Sequence, residues 1–152
     1  MSRERQDLLS RSALGVFRLN GQFLGVAEEL ARPAGLTAAW WQVLGAVLEE
    51  PLSVAGIARA MGITRQSVQR IADLLVERDL AEYRPNPAHR RAKLLAPTER
   101  GRAAIRRIDP GHAAFAERLA EAFGEDELDA AVQVLERLSK VLDQLGPPVT
   151  EP

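Results

Sequence analysis

The chain of 152 residues has no cysteine. That excludes a disulfide framework, a thiolate metal site and direct sensing of peroxides by a thiol. It has only two histidines, His89 and His112, which stand apart in the sequence. No Gly-rich phosphate loop follows a predicted strand, and no acidic or His cluster has metal-ligand spacing. These absences argue against an enzyme, and no metal or cofactor is expected. No apolar run approaches the roughly 20 residues needed to span a bilayer. The first nine residues are charged rather than apolar, unlike a signal peptide. A cytoplasmic protein with no membrane partner is the expectation.

An overall positive charge is missing as well, since the net charge is −1. Its distribution is uneven. Residues 59–107 carry twelve Arg/Lys against five Asp/Glu, while residues 108–152 carry three against ten. A basic block is followed by an acidic one. Phosphate binding depends on local Lys and Arg, not on the chain average. A chance cluster of solvated charges is the plainer alternative. The length fits one domain, or one small domain with helical extensions.

Apolar residues recur at helical spacing from Asp7 to Ala31, and Arg32-Pro33-Ala34-Gly35 stops that first helix. Thr37 caps a second helix, predicted to run to about Glu50 before Pro51. Ser53 caps a short third helix, with Val54, Ile57, Ala58 and Met61 facing inward. Gly62 makes a turn, and Thr64 caps a fourth helix with core positions Val68, Ile71, Ala72 and Leu75. Two strands follow, about 81–84 and 93–96, around the turn residues Asn86-Pro87-Ala88-His89. A further helix from Thr98 and Glu99 is expected to break or kink at Pro110-Gly111 and to close at Gly124. The last helix spans about Glu125 to Leu145, and residues 147–152 read as a disordered tail.

Helix, turn, helix and basic hairpin, in that order, make a winged helix-turn-helix: one helix for the major groove of DNA, a hairpin tip for the minor groove. On the fourth helix, Gln66, Arg70 and Asp73 lie opposite the apolar side, flanked by Ser67 and Gln69. Arg suits guanine, Gln suits adenine and Ser suits either. Arg65, at the helix N-terminus, suits phosphate. His89, Arg90 and Arg91 form the hairpin tip, with Lys93 behind, and such arginines favour a narrow minor groove. The alternatives are an ordinary amphipathic surface helix and a solvated basic turn. The fold class is mainly α with a small β-wing. A winged-helix lobe, residues 37–107, is flanked by dimerisation helices, residues 1–36 and 108–146, as one intertwined domain.

Three segments carry a family resemblance: LTAAWWQVL, IARAMGITRQSVQRIADLLVERDL and NPAHRRAKLLAPTERG. With their flanking helices they cover nearly the whole chain, which resembles the MarR family of bacterial regulators. The resemblance implies a homodimer on a pseudo-palindromic operator, its first, fifth and sixth helices interlocked across a two-fold axis. It also implies a small aromatic or phenolic ligand that releases the operator, with repression as the usual mode. By position, Arg91 is the wing arginine, and Ser67, Gln69 and Arg70 fall among the recognition-helix contacts. His89 stands where the family often has an acidic residue that orients this arginine. Asp79 stands where it often has Gly, at the end of the recognition helix. The histidine raises the idea of wing binding that depends on pH; an exposed His without that role is the plainer one.

The residues themselves also point to a dimer. Leu128, Val132, Leu135, Leu138, Leu142 and Leu145 form a stripe that needs a partner face. A core helix in a monomer is the alternative. Phe17, Trp40, Trp41, Phe23 and His112 are candidate pocket residues, with Arg18 or Asn20 to receive a carboxylate; plain core packing is the commoner fate of aromatics at such spacing. The competing functional class is a winged-helix module that binds protein rather than DNA.

Overall fold

Three hydroxyl side chains set where the central helices begin. In the computed structural model, which describes residues 2–148, Thr37 Oγ1 accepts from the Trp40 N–H, Ser53 Oγ from Gly56 and Thr64 Oγ1 from Ser67, each at 3.1 Å. Each satisfies an N–H that the helix itself leaves unpaired. The elements in chain order are α1 (Ser2–Ala31), a 3-10 turn (Arg32–Ala34), α2 (Ala38–Ala46), β1 (Leu52–Ser53), α3 (Val54–Met61) and α4 (Arg65–Glu77). Then come β2 (Ala81–Arg84), β3 (Leu94–Pro97), α5 (Glu99–Phe123) and α6 (Glu125–Leu145). The mainly α class with a small β-wing holds. Of the predicted tail, residues 149–152 lie outside the described residues.

Two expectations about α2 and the sheet need correction. The second helix ends at Ala46, not near Glu50. Val47 and Leu48 bond back to Leu44 and Gly45, three residues earlier, which tightens the last turn and ends the ladder. The chain is thereby freed to turn at Pro51 into a third strand that the apolar pattern is too short to reveal. This strand, β1, pairs antiparallel with β3, Leu52 opposite Leu95 and Ser53 opposite Leu94. The hairpin partners are Ala81 with Pro97 through Arg84 with Leu94, so the order is β1-β3-β2. Pro97 is the last residue of β3, not the residue after it.

Contacts divide the chain into two units, Met1–Pro110 and Gly111–Pro152. The first holds a core of Val43, Leu44 and Val47, Ile57 of α3, Val68, Ala72 and Leu75 of α4, and Leu95 of β3. Ala104, Ile105 and Ile108 of α5 complete it. Each large side chain buried there contributes about 1.5–3 kcal/mol relative to exposure. The inward residues predicted for α4 are all buried; of the four predicted for α3, Ile57 and Ala58 are buried while Val54 and Met61 are half-covered.

The end of α4 is a Schellman motif. Leu80 N–H bonds to Leu75 O at 2.9 Å and Asp79 N–H to Val76 O at 3.0 Å. Asp79 is left-handed, with φ 58°. The carbonyl of Asp79 also accepts from Thr98 Oγ1 at 2.6 Å, and Thr98 Oγ1 in turn caps α5 by accepting from the Gly101 N–H. A Cβ at Gly101 would collide with the Leu80 carbonyl, so glycine lets α5 start against the base of the wing.

In the second unit α6 matches its expected limits, with Glu125, Asp126 and Glu127 in the first turn. Acidic groups there favour the positive end of the helix dipole. Of the break or kink expected at Pro110-Gly111, the break is absent: α5 is helical from Glu99 to Phe123 with Pro110 inside it. Proline removes one N–H bond from the ladder, and long helical runs on both sides retain theirs.

Candidate nucleic-acid interface

α4 turns Val68, Ile71, Ala72 and Leu75 into the core, so its other face is left to solvent. Arg65, Gln66, Gln69 and Arg70 are exposed there, and Ser67 is half-covered. The Thr64 cap shapes the start of this face. Its hydroxyl donates to Ser67 Oγ at 2.9 Å, which leaves the Ser67 proton for an outside acceptor.

The wing brings a second set of cations. Arg90, Arg91 and Lys93 are all exposed in the β2–β3 connection. Asn86 organises the turn twice: Oδ1 accepts from the Ala88 N–H at 3.0 Å, and its carbonyl accepts from the His89 N–H at 3.2 Å. This Asx arrangement gives the tip a defined start. His89 itself is exposed, two residues from Arg91. Among the described residues no carboxylate pairs with Arg65, Arg70, Arg90 or Arg91. Their guanidinium groups are available to an outside anion.

A cleft of about 590 Å³ lies between helix and wing. Arg65, Gln66 and Gln69 of α4 line it with Arg91 and Lys93 of the wing, Tyr83 of β2, and Ser53 to Ala55 at the start of α3. No acidic residue is in that lining. The cleft therefore gathers five of the eight predicted contacts. Ser67, Arg70 and Arg90 lie outside it.

Sequence reasoning missed the part played by two residues. Tyr83 OH donates to Asp73 Oδ1 at 2.5 Å, and Gln69 Nε2 donates to both, at 3.0 Å to Asp73 and 2.9 Å to Tyr83. This network ties the exposed face of α4 to β2. Burial, followed by the bond to Asp73 and its negative charge, pushes the Tyr83 hydroxyl up to about 12. Lys93 Nζ sits 5.9 Å from the centre of the Tyr83 ring. The Gln69–Asp73 half was visible as an i,i+4 pair. The Tyr83 half is a contact across fourteen positions, which no local pattern encodes.

Five of the predicted pocket residues, Phe17, Arg18, Trp40, Trp41 and His112, are dispersed through the elements. Phe17 and Arg18 are exposed on α1. Trp40 and Trp41 of α2 are half-buried against the core, and Arg78 stacks on Trp40 at 5.5 Å from the ring centre. His112 is exposed in the second unit. None of the five lines the cleft beside the wing. No described helix is long and apolar enough to cross a membrane, and no group of three His, Cys, Asp or Glu among the described residues is arranged to hold a metal.

Comparison with known proteins agrees with this geometry. Residues 34–92 match the sequence model of the MarR family. An uncharacterized protein of Mycobacterium tuberculosis is 39% identical over 132 residues, which cover 87% of this chain and 92% of that protein. Among solved structures, the transcriptional repressor CouR bound to a 23-mer DNA duplex superimposes with a TM-score of 0.76 at 27% identity, covering 88% of this chain and 95% of that one. CouR from Rhodococcus jostii bound to p-coumaroyl-CoA gives 0.66 at 25% identity, covering 90% and 92%.

Proposed function

This chain belongs to the MarR family of transcriptional regulators, and on that premise we propose that it acts as a homodimeric repressor of a pseudo-palindromic operator, released by a small aromatic or phenolic ligand. A family of transcription regulators, not of enzymes, accounts for the absence of catalytic motifs. The observation that carries the reading is the shared cleft: Arg65, Gln66 and Gln69 of α4 face Arg91 and Lys93 of the wing across one acid-free concavity. Ser67 and Arg70 complete the groove-facing helix, and Arg90 adds charge at the tip. α4 enters the major groove, Arg70 bonds a guanine and Arg91 reaches the minor groove.

Dimerisation rests on uncovered apolar stripes. In α6 Val132, Leu135, Leu138, Leu142 and Leu145 are all exposed, and in α1 so are Leu9, Phe17 and Phe23. A second copy is the natural cover for both. The dimerisation segments are 1–36 and 108–146, and the DNA lobe is 37–107. A two-fold axis then sets the recognition helices about 34 Å apart. For the effector, the support is a relative that binds p-coumaroyl-CoA, an aromatic ligand. Phe17, Arg18, Trp40, Trp41 and His112 are the proposed pocket.

The test is to recover and sequence genomic DNA bound by the protein, then measure the shift of that fragment against salt. A dimer with several phosphate contacts loses affinity steeply as salt rises. No recovered site, or binding indifferent to salt, would point to the winged helix as a protein-binding module instead.

A further inference from the structure

Gln69 is an exposed side chain on the groove-facing side of α4, but its amide is held one way round. Its nitrogen lies 3.0 Å from Asp73 Oδ1 and 2.9 Å from Tyr83 OH, and those two oxygens are 2.5 Å apart. Proton counting dictates the arrangement. An ionised carboxylate only accepts. The single Tyr83 proton goes to Asp73 in a short, charge-assisted bond. With the hydroxyl pushed up to about 12, that proton stays in place at neutral pH. The tyrosine oxygen therefore has only lone pairs left for Gln69. The nitrogen end of the amide must face both oxygens, since a flipped amide would set Oε1 against two acceptors. The triangle is too tight for two separate N–H bonds, so one N–H is shared by the two oxygens. The carbonyl Oε1 and the second N–H, which neither oxygen uses, are left on the open side.

A free glutamine has no such preference. It accepts from an amino group in one orientation and donates to a keto oxygen in the other. A tethered one offers its acceptor and one N–H in a fixed order. In the major groove the amino donors are N6 of adenine and N4 of cytosine, while guanine O6 and thymine O4 are acceptors. We propose that Asp73 and Tyr83 are specificity-determining positioning residues, which hold the Gln69 amide so that Oε1 meets the N6 amino group of adenine and the free N–H meets adenine N7, while the keto oxygens of guanine and thymine would face Oε1. The inference rests on α4 being the groove-facing helix of the proposed regulator.

The experiment starts from sites selected by the wild-type protein out of a random-sequence duplex library. Gln69→Ala identifies the base position that depends on Gln69. Duplexes with each of the four bases there are then titrated with wild type, Tyr83→Phe and Asp73→Ala, after thermal melting confirms that each is folded. Wild type is expected to favour adenine over guanine or thymine by about tenfold. Both variants should shrink that ratio to about twofold while leaving preferences elsewhere in the site unchanged. Tyr83→Phe retains the ring under Lys93, so a merely structural role would weaken all sequences alike. A wild-type preference for a keto base, no position that depends on Gln69, or an unchanged ratio in both variants overturns the proposal and leaves the regulator reading standing. A protein that selects no DNA overturns both.

Discussion

α4 and α6 are both amphipathic helices, but they differ in where their apolar faces go. α4 buries Val68, Ile71, Ala72 and Leu75 in thirteen residues, whereas α6 has no buried residue in twenty-one. The apolar stripe of α4 meets side chains of α2, α3 and the sheet within its own unit. That of α6 is exposed, with Leu142 at 55% and Leu145 at 74%. α1 resembles α6 in this respect: of its thirty residues only Ala31 is buried. One kind of helix thus closes a core, and the other presents a surface that lacks its counterpart. Exposed apolar area on this scale marks an interaction face. The core around α4 is complete within one chain; the apolar stripes of α1 and α6 are not covered within it.

The largest effect should come from breaking α6. Leu135→Glu together with Leu138→Glu places charges in the stripe, and light scattering should then show half the wild-type mass. Operator affinity should fall roughly 10²–10⁴-fold as the two half-sites cease to be bound together. An unchanged mass would show that the stripe is not the dimer face. The complementary change is Leu75→Ala, in the α4 core. It should cost roughly 2–5 kcal/mol in denaturant unfolding and leave the mass of the folded protein unaltered. If it dissociates the assembly instead, the two regions are not as independent as their burial implies.

Within the lobe, smaller effects separate helix from wing. Arg70→Ala should cost about 1–3 kcal/mol of operator affinity and relax one base position. Arg91→Ala should weaken binding most where the flanking minor groove is A/T-rich. If both bind like wild type, the groove assignments fail although the fold stands.

The smallest effects concern single groups. Tyr83 is the only tyrosine, so its ultraviolet titration is unambiguous. It should ionise near pH 12, and Asp73→Ala should bring the midpoint back toward about 10. Because the folded value lies above the unfolded one, the network's stabilisation is full below about pH 10 and is lost as pH rises through about 12. A midpoint near 10 in wild type would mean that the network is not formed in solution. Asp79→Gly should raise stability by about 0.5–1 kcal/mol, since glycine adopts the left-handed conformation without a Cβ penalty.

Much of this was legible before any coordinates. The caps Thr37, Ser53 and Thr64 and the 3.6-residue rhythm of α4 are local signals, and each lies where the sequence pointed. Asp79 was expected to take a conformation that suits glycine, and it is left-handed. The failures share a cause. β1 is two residues long and exists only because β3 pairs with it. The early end of α2 is a tightened last turn at Val47 and Leu48 that no apolar period marks, and the continuity of α5 through Pro110 depends on the helix around it. At the candidate site, the cations were legible as a basic block. The restraint on Gln69 was not, because it needs Tyr83 to arrive from another element. Gly101 shows the same limit: its lack of a side chain has meaning only once Leu80 is beside it.

The most direct test of the central claim is the mass of the protein–operator complex by analytical ultracentrifugation, repeated across a range of salt. Two chains per operator, with half-sites about one DNA turn apart and affinity falling steeply with salt, is the predicted result. One chain per duplex, or affinity insensitive to salt, would contradict it.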